Sequence, residues 1–293
     1  MDRHETLSII AAEAGWGELT FPTSAKMALR IQQAIDDPDC RVETAARLIR
    51  AEPLVSARVV ALANSMAFNR SGREVTDVRV AVTLLGFHTV RALVTAVITR
   101  QMAGVSADRA HRALVAQLWE HTAHMAALAY VIARRVTRQD PETAMFAGIV
   151  HEVGGFYLLS RAKDFPGLMD GMDESEGEGE DAAEGEGEGA IEGEGEGVVG
   201  RAVLKVLSVP EPVVAAIEAL WQGYLAMPPT TLGDALLLAD QLAPVKSPLR
   251  QLMQKNHDGK AAAIDMILEQ ETLVGILTES AKEVESLTEA LRF

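Results

Sequence analysis

Apolar residues spaced three and four apart constrain this chain more than any other feature. Met27, Ala28, Ile31, Ala34 and Ile35 fall on one stripe, with Arg30, Gln32 and Gln33 outside it, the period of a helix that buries one face. Asp36, Asp37, Pro38 and Asp39 end that run. A second helix is predicted from Val42, carrying Ala45, Ala46, Leu48 and Ile49. Glu52 and Pro53 close it and open a third, because proline suits a first turn, where its missing N–H would have no intrahelical partner. Leu54, Val55, Ala57, Val59, Val60, Leu62 and Ala63 make that helix apolar nearly all round, which predicts a central position. Residues 69–72 read as a loop, and Asp77 as the N-cap of a helix ending at Gly86; another helix spans about residues 89–102. Hydrophobic residues make up 48% of the chain but aromatic residues only 4%. A core of Ala, Leu, Val, Ile and Met favours close-packed helices over sheets, and the expected fold class is all-α.

A new unit is expected near Ser106, with helices over residues 107–136, broken before Trp119, and 142–159. Further helices are expected at 198–207, 211–221, 232–242 and 261–291. The division that follows is an N-terminal helical subdomain over residues 1–105, a second over 106–260, and a C-terminal helix over 261–293. In that last helix, Ile264, Ile267, Leu268, Leu273 and Ile276 are expected to cover the body, with Glu283, Glu285 and Glu289 more exposed. Leu287 and Leu291 have helical spacing and offer either packing on the body or self-association.

From Asp170 to Gly197 the text alternates Glu and Gly, with 13 acidic residues and no basic one. Glycine loses the most backbone entropy on ordering and like charges repel, so residues 170–197 are expected to form a mobile loop. Without an ordered register of oxygen ligands it is not expected to bind a metal specifically. The tract also explains the charge. Setting it aside leaves 29 acidic against 27 basic residues, a net charge of −2 where the whole chain carries −15. No basic tract marks a nucleic-acid footprint, so direct nucleic-acid binding is not expected. Cys40 is the single cysteine, which excludes an intramolecular disulfide and a cysteine-rich zinc site; its expected role is to fill space. The N-terminus lacks the apolar run of a secretory signal, and the longest apolar stretches read as falling far short of the ~20 residues that cross a bilayer. A cytoplasmic location without membrane insertion is expected.

The candidate chemistry sits on two histidines. His121, Met125, Leu128 and Ile132 recur at spacings of four, three and four on a stripe facing the core, and His124 shares part of that face. His151 follows Ala147 and Gly148 and precedes Gly154 and Gly155, small residues that permit close helix approach or a helix terminus. Imidazoles and carboxylates together can hold a divalent ion that polarises a phosphate and lowers the pKa of bound water. Adjacent residues on a helix diverge by about 100°, so Glu152 gains no ligand role merely by following His151. The alternative is a pair of histidines hydrogen-bonded within a helical core.

Longer segments carry a resemblance. LTFPTSAKMALRIQQAIDD, AARLIRAEPLVSARVVALANS and VTDVRVAVTLLGFHTVRALV occur in order, followed by LWEHTAHMAALAYVIARRV and AMFAGIVHEVGGFYLL. Over roughly residues 19–242 the chain resembles the HDOD family, a regulatory offshoot of the HD metal-dependent phosphohydrolase superfamily. The resemblance implies two packed helical subdomains, the second a degenerate HD-like domain, with His121, His151, Glu152 and Asp240 at the metal positions. Family members carry His-Asp where this chain has His151-Glu152. They often carry histidines where Leu220 and Trp221 stand, and another where the Glu–Gly tract and residues 195–200 lie. These departures predict at most a single-ion remnant, with crowding, misdirection or a missing contact keeping the four side chains apart. No cofactor is expected, a divalent metal being the alternative. The implied function is a non-catalytic bacterial signalling scaffold that binds a signalling protein. One alternative is a metal-dependent phosphohydrolase or phosphodiesterase acting on a phosphoester or nucleotide, with Glu152 as a modified ligand or polariser of water. Another is a nucleotide-binding regulatory module. Asn64 is expected to cap a helix junction and Gly86 to end its helix.

Overall fold

A computed structural model describes residues 3–16, 19, 25–104, 106, 108–165, 168, 188–223, 225–249 and 271–292. Every regular element among the described residues is a helix, and the helices form two clusters. The first contains α2 (Lys26–Ile35), α3 (Val42–Arg50), α4 (Pro53–Ala63) and α5 (Val78–Met102). Local signals set their ends. Pro53 occupies the first turn of α4, where the Glu52 carboxylate accepts from the Val55 N–H. Asp77 caps α5 by accepting from the N–H groups of Arg79 and Val80 at 2.9 and 3.1 Å. Gly86, with φ 74° and ψ 164°, breaks α5 into two runs, a backbone state that glycine enters without the steric cost of a Cβ.

By length and composition α5 could cross a membrane, with a mean hydropathy of 1.7 over its most apolar window, which corrects the expectation that no apolar stretch comes near that length. The helix instead serves as core: 67% of that window is buried inside the fold, and the break at Gly86 interrupts it.

The second cluster is built on α6 (Arg109–Ile132), α7 (Pro141–Val150), α8 (Val153–Arg161), α9 (Glu188–Val206), α10 (Glu211–Gln222) and α11 (Leu232–Leu242). α6 runs through Trp119 without the expected break and continues as a π-helical turn over Ala133–Thr137. The Trp119 ring is buried edge-on against Phe156, and its Nε1–H donates to the Leu291 carbonyl at 3.0 Å. Burial of this large ring rewards continuing the helix.

Residues 170–187 of the expected mobile loop lie outside the described residues. Residues 188–197 are helical, so α9 begins ten residues before the expected Val198. Buried Val199, Val203 and Leu204 anchor α9, which packs against α8 and against α1 (Arg3–Gly15). Extending an anchored helix costs less than nucleating one, which lets it run back into glycine-rich sequence.

The helix expected over 261–291 is described as α12 (Glu271–Leu291); Ile264, Ile267 and Leu268 lie outside the described residues. α12 packs on α6 and α4, burying Leu273, Leu287, Ala290 and Leu291. The Leu287–Leu291 pair is therefore used on the body, not on a self-association face. Glu283, expected in the exposed part, instead makes a two-pronged ion pair with Arg134 on the π-helical turn. The two clusters touch where α5 meets α7 and α8. Gln32 joins them too, its amide donating to the Leu207 carbonyl at 2.8 Å.

Candidate functional site

Close backbone approach builds the site. A Cβ on Gly148 would lie 2.7 Å from the Ala126 Cα, so α7 can approach α6 this closely only with glycine there. That contact brings the C-terminal end of α7 beside His121. α7 then stops at His151, whose φ and ψ are −61° and −32°, while Glu152 departs to −111° and 24° and leads α8. Because the helix breaks between them, the 100° divergence expected of adjacent helical residues does not apply. The Glu152 carboxylate makes no cap bond to α8. Its Oε2 stands 3.8 Å from His151 Nε2 and 4.0 Å from His121 Nε2.

The two imidazoles meet at their tips, Nε2 to Nε2, at 3.2 Å, with ring planes inclined by 61°. Asp240 on α11 places Oδ1 3.6 Å from His121 Nε2. Three of the four candidate side chains gather and the constellation stays incomplete, as expected of an altered HD-type site. His121, His151 and Glu152 each present a ligand atom within 4.8 Å of the others, and Asp240 joins through His121. The side chains of His121, His151, Glu152 and Asp240 are 0%, 4%, 10% and 19% exposed.

Backbone carbonyls aim both rings. His121 Nδ1 lies 2.9 Å from the Val245 oxygen and His151 Nδ1 lies 2.7 Å from the Gly148 oxygen. Such bonds to the far nitrogen orient a histidine and raise its basicity as a ligand. Neither carbonyl was legible in the sequence, since a main-chain oxygen carries no residue signature. α11 is fixed by a capping box in which Thr231 and Asp234 exchange side-chain and backbone bonds. Burial acts to raise the Asp234 carboxyl, but hydrogen bonds from Ala226, Thr231 and Thr230 outweigh it and hold the group below the ordinary carboxylate range.

The remaining candidates do not join. His124, expected to share the His121 face, turns its Nδ1 to the Glu120 carbonyl one turn back, at 2.9 Å. Asn64 caps α4 and clasps the following loop, donating to the Val75 oxygen at 2.7 Å and accepting from the Val75 N–H at 2.8 Å. Gly86 serves the α5 break. Leu220 and Trp221 offer no ligand atoms. The Trp221 ring lies against Gly200, where a Cβ would meet it at 3.1 Å, with the Arg201 guanidinium 5.6 Å from its centre.

Two nitrogens and two carboxylate oxygens suit one divalent ion. Ligands about 2.1 Å from a common ion stand roughly 3.0–3.4 Å apart at tetrahedral to octahedral angles, and the two Nε2 atoms already do. Among the described residues His121, His151 and Glu152 are the one group of three or more such side chains close enough to share an ion.

A family model for the HDOD domain matches residues 21–222. The chain belongs to the HDOD family. No curated protein matches it. Among solved structures, a candidate metal-dependent phosphohydrolase from Shewanella amazonensis SB2B is similar over 99% of each chain, at 20% identity and a TM-score of 0.68. An HDOD domain protein of unknown function from Geobacter sulfurreducens is similar over 98% of this chain and 97% of its own, at 22% identity and a TM-score of 0.60. A candidate signal transduction protein from Marinobacter aquaeolei VT8 is similar over 99% of this chain and 66% of its own, at 17% identity and a TM-score of 0.56. These likenesses establish the HDOD fold; at such identities the site speaks for itself.

Proposed function

We propose that this HDOD protein is a non-catalytic regulatory scaffold in bacterial signal transduction, binding a signalling protein through its helical surfaces in the cytoplasm. In this reading residues 106–260 form a degenerate HD-like subdomain beside an N-terminal subdomain over residues 1–105. The observation that carries the reading is the make-up of the site. Its ligand set ends at one ion, the aspartate after the second histidine is Glu152, and Leu220 and Trp221 supply apolar surface where further histidines would be needed. The same four side chains are almost wholly enclosed, while a phosphoester must reach the ion to be hydrolysed.

A groove of about 600 Å³ offers one face for a partner. Asn64, Ser65 and Met66 line it from the end of α4, and Lys282, Ser286 and Glu289 from α12. Met66 is 56% exposed there, and its backbone N–H accepts anchorage from α12 by donating to Ser286 Oγ at 3.0 Å. Native capture of the full chain should return a reproducible protein partner, and Met66→Glu should weaken that capture. Absence of any reproducible partner under native expression would count against the scaffold.

The convergence of His121, His151 and Glu152 favours a second reading, metal-dependent phosphoester hydrolysis. A bound divalent ion would there polarise a phosphate and lower the pKa of water, held by His121, His151, Glu152 and Asp240. Assay of protein loaded in turn with Mn, Fe, Mg, Ni and Zn separates the two readings. Turnover of a phosphomonoester or phosphodiester that disappears in His151→Ala would replace the scaffold with an enzyme.

A further inference from the structure

The C-terminal helix α12 lies across both clusters, packing on α6 of the second and α4 of the first. Its inner face follows a regular seam. Leu273, Leu277, Ser280, Val284, Leu287 and Leu291 recur at spacings of four, three, four, three and four, the repeat with which one helix lies along another. The seam is tight only at its ends. Leu273, Leu287 and Leu291 are buried, whereas Leu277 and Val284 are partly covered and Ser280 is a buried hydroxyl.

Charge sets the register of this contact. α12 runs antiparallel to α6, its last carbonyl accepting from Trp119 while its earlier turns meet the π-helical turn that ends α6. There Arg134 grips Glu283 with two prongs. Arg135 donates to Glu279 at 3.1 Å and to Ser280 Oγ at 3.0 Å. Glu279 and Glu283 stand four residues apart, so α12 presents a pair of carboxylates to a pair of guanidinium groups. Charges flanking such a seam select which helix docks and in which direction. Both pairs are partly exposed, Glu279 by 71%, and pairs so placed hold weakly.

The fit beneath α12 has further defects. Ser65, which lines the groove between α4 and α12, and Thr288 on α12 itself are each 3% exposed. Their hydroxyls find no hydrogen-bond partner among the described residues. A buried polar group left unmatched opposes the contact that buries it. Few buried apolar side chains, solvent-screened ion pairs and unmatched hydroxyls place α12 at the end of the stability range from which moving elements are drawn.

We propose that α12 is a built-in substitute for a partner's helix. The trough it covers on α4 and α6, flanked by Arg134 and Arg135, receives an acidic amphipathic helix of a signalling protein with the same spacing of apolar residues, and α12 lifts to admit it. The inference deepens the scaffold reading and rests on it for the occupant being a signalling protein. The groove lined by Met66 and Lys282 runs beside α12, so an arriving helix touches the protein there first.

The test uses the full chain and, as probe, a labelled synthetic peptide with the sequence of residues 271–292. Hydrogen exchange in the parent chain should be faster in α12 than in α6. Glu279→Lys combined with Glu283→Lys sets like charges against the arginines; it should speed exchange in α12 and raise peptide affinity about tenfold or more. Should that variant fold poorly, Glu279→Gln with Glu283→Gln removes the attraction alone and should raise affinity about threefold. Adding Arg134→Glu and Arg135→Glu to the charge-reversed variant restores opposite charges, so α12 should close again and exclude the peptide. A scrambled peptide of equal composition should not bind. Exchange in α12 as slow as in α6, equal binding of the scrambled peptide, or equal peptide affinity for parent and variants would overturn the proposal. So would a parent chain that dimerises by exchanging α12, which would assign the trough to a second copy. Peptide binding as expected with no protein partner captured would sink the scaffold and leave the trough standing. A partner captured equally by parent and charge-reversed chains, with the peptide excluded from both, would do the reverse.

Discussion

Asn64 in the first helical cluster and His121 in the second are both polar residues on apolar helices, yet their surroundings treat them in opposite ways. The Asn64 amide behaves as a short length of backbone, its donor and acceptor both matched by Val75 across the loop. His121 lies in a mixed cluster, its Nδ1 2.9 Å from the Val245 oxygen and its Nε2 3.2 Å from His151 Nε2, with Asp240 Oδ1 at 3.6 Å. A polar group whose partners are complementary is structural cement. A buried histidine set among a second histidine and carboxylates is a cluster of the residue types that can share a ligand. The candidate ligand atoms lie beside α6, α7, α8 and α11, where the second cluster also has cement of its own in the Thr231–Asp234 capping box.

The sharpest way to break this contrast is to push α6 and α7 apart. Gly148→Ala sets a Cβ 2.7 Å from a backbone atom that cannot swing aside, and should cost about 3 kcal/mol in denaturant unfolding. The His121–His151 contact should be lost with it, and a variant whose two imidazoles keep their coupled proton chemical shifts by NMR would show that this approach does not set the cluster. Asn64→Ala probes the opposite region. It strands the Val75 N–H and carbonyl and should cost about 2 kcal/mol, with the His121 and His151 NMR signals unchanged; a change there would dissolve the distinction between the clusters.

Asp234→Asn acts on the footing of α11 and should cost about 1–2 kcal/mol at neutral pH. Its sign with pH follows from the lowered carboxyl of Asp234. A group held below its unfolded value stabilises the fold above the unfolded value and loses that contribution as pH falls through the folded one. Acid unfolding of the parent chain should therefore steepen below the ordinary carboxylate range, and the variant should show a flatter acid limb. The smallest effect is expected from Glu283→Gln on α12. Its pair with Arg134 is part-exposed, so unfolding free energy should fall by less than about 1 kcal/mol, shrinking further in high salt.

Most of the fold was legible because apolar spacing reports helices directly. α2, α3, α4, α10 and α11 lie within a residue or two of their expected spans, and Gly86 interrupts α5 where the text placed a helix end. The break expected before Trp119 is absent, because α6 runs on and buries that ring against Phe156. The start of α9 was hidden because glycine and glutamate have poor local propensity, while the apolar face that anchors the helix lies further on. At the site, the histidines and small glycines were visible, but their convergence was not. The expected divergence of His151 and Glu152 assumed a continuous helix, and a change of two backbone angles at Glu152 undid it. The Val245 and Gly148 oxygens had no trace at all in residue identity.

That bend between α7 and α8 has a further consequence. His151 and Glu152 come together because just two residues separate Val150 from Val153, once Gly148 has let α7 close on α6. A single-residue insertion there would change the backbone angles that set the two side chains next to each other. The cluster thus depends on the length of a joint as much as on the residues that occupy it.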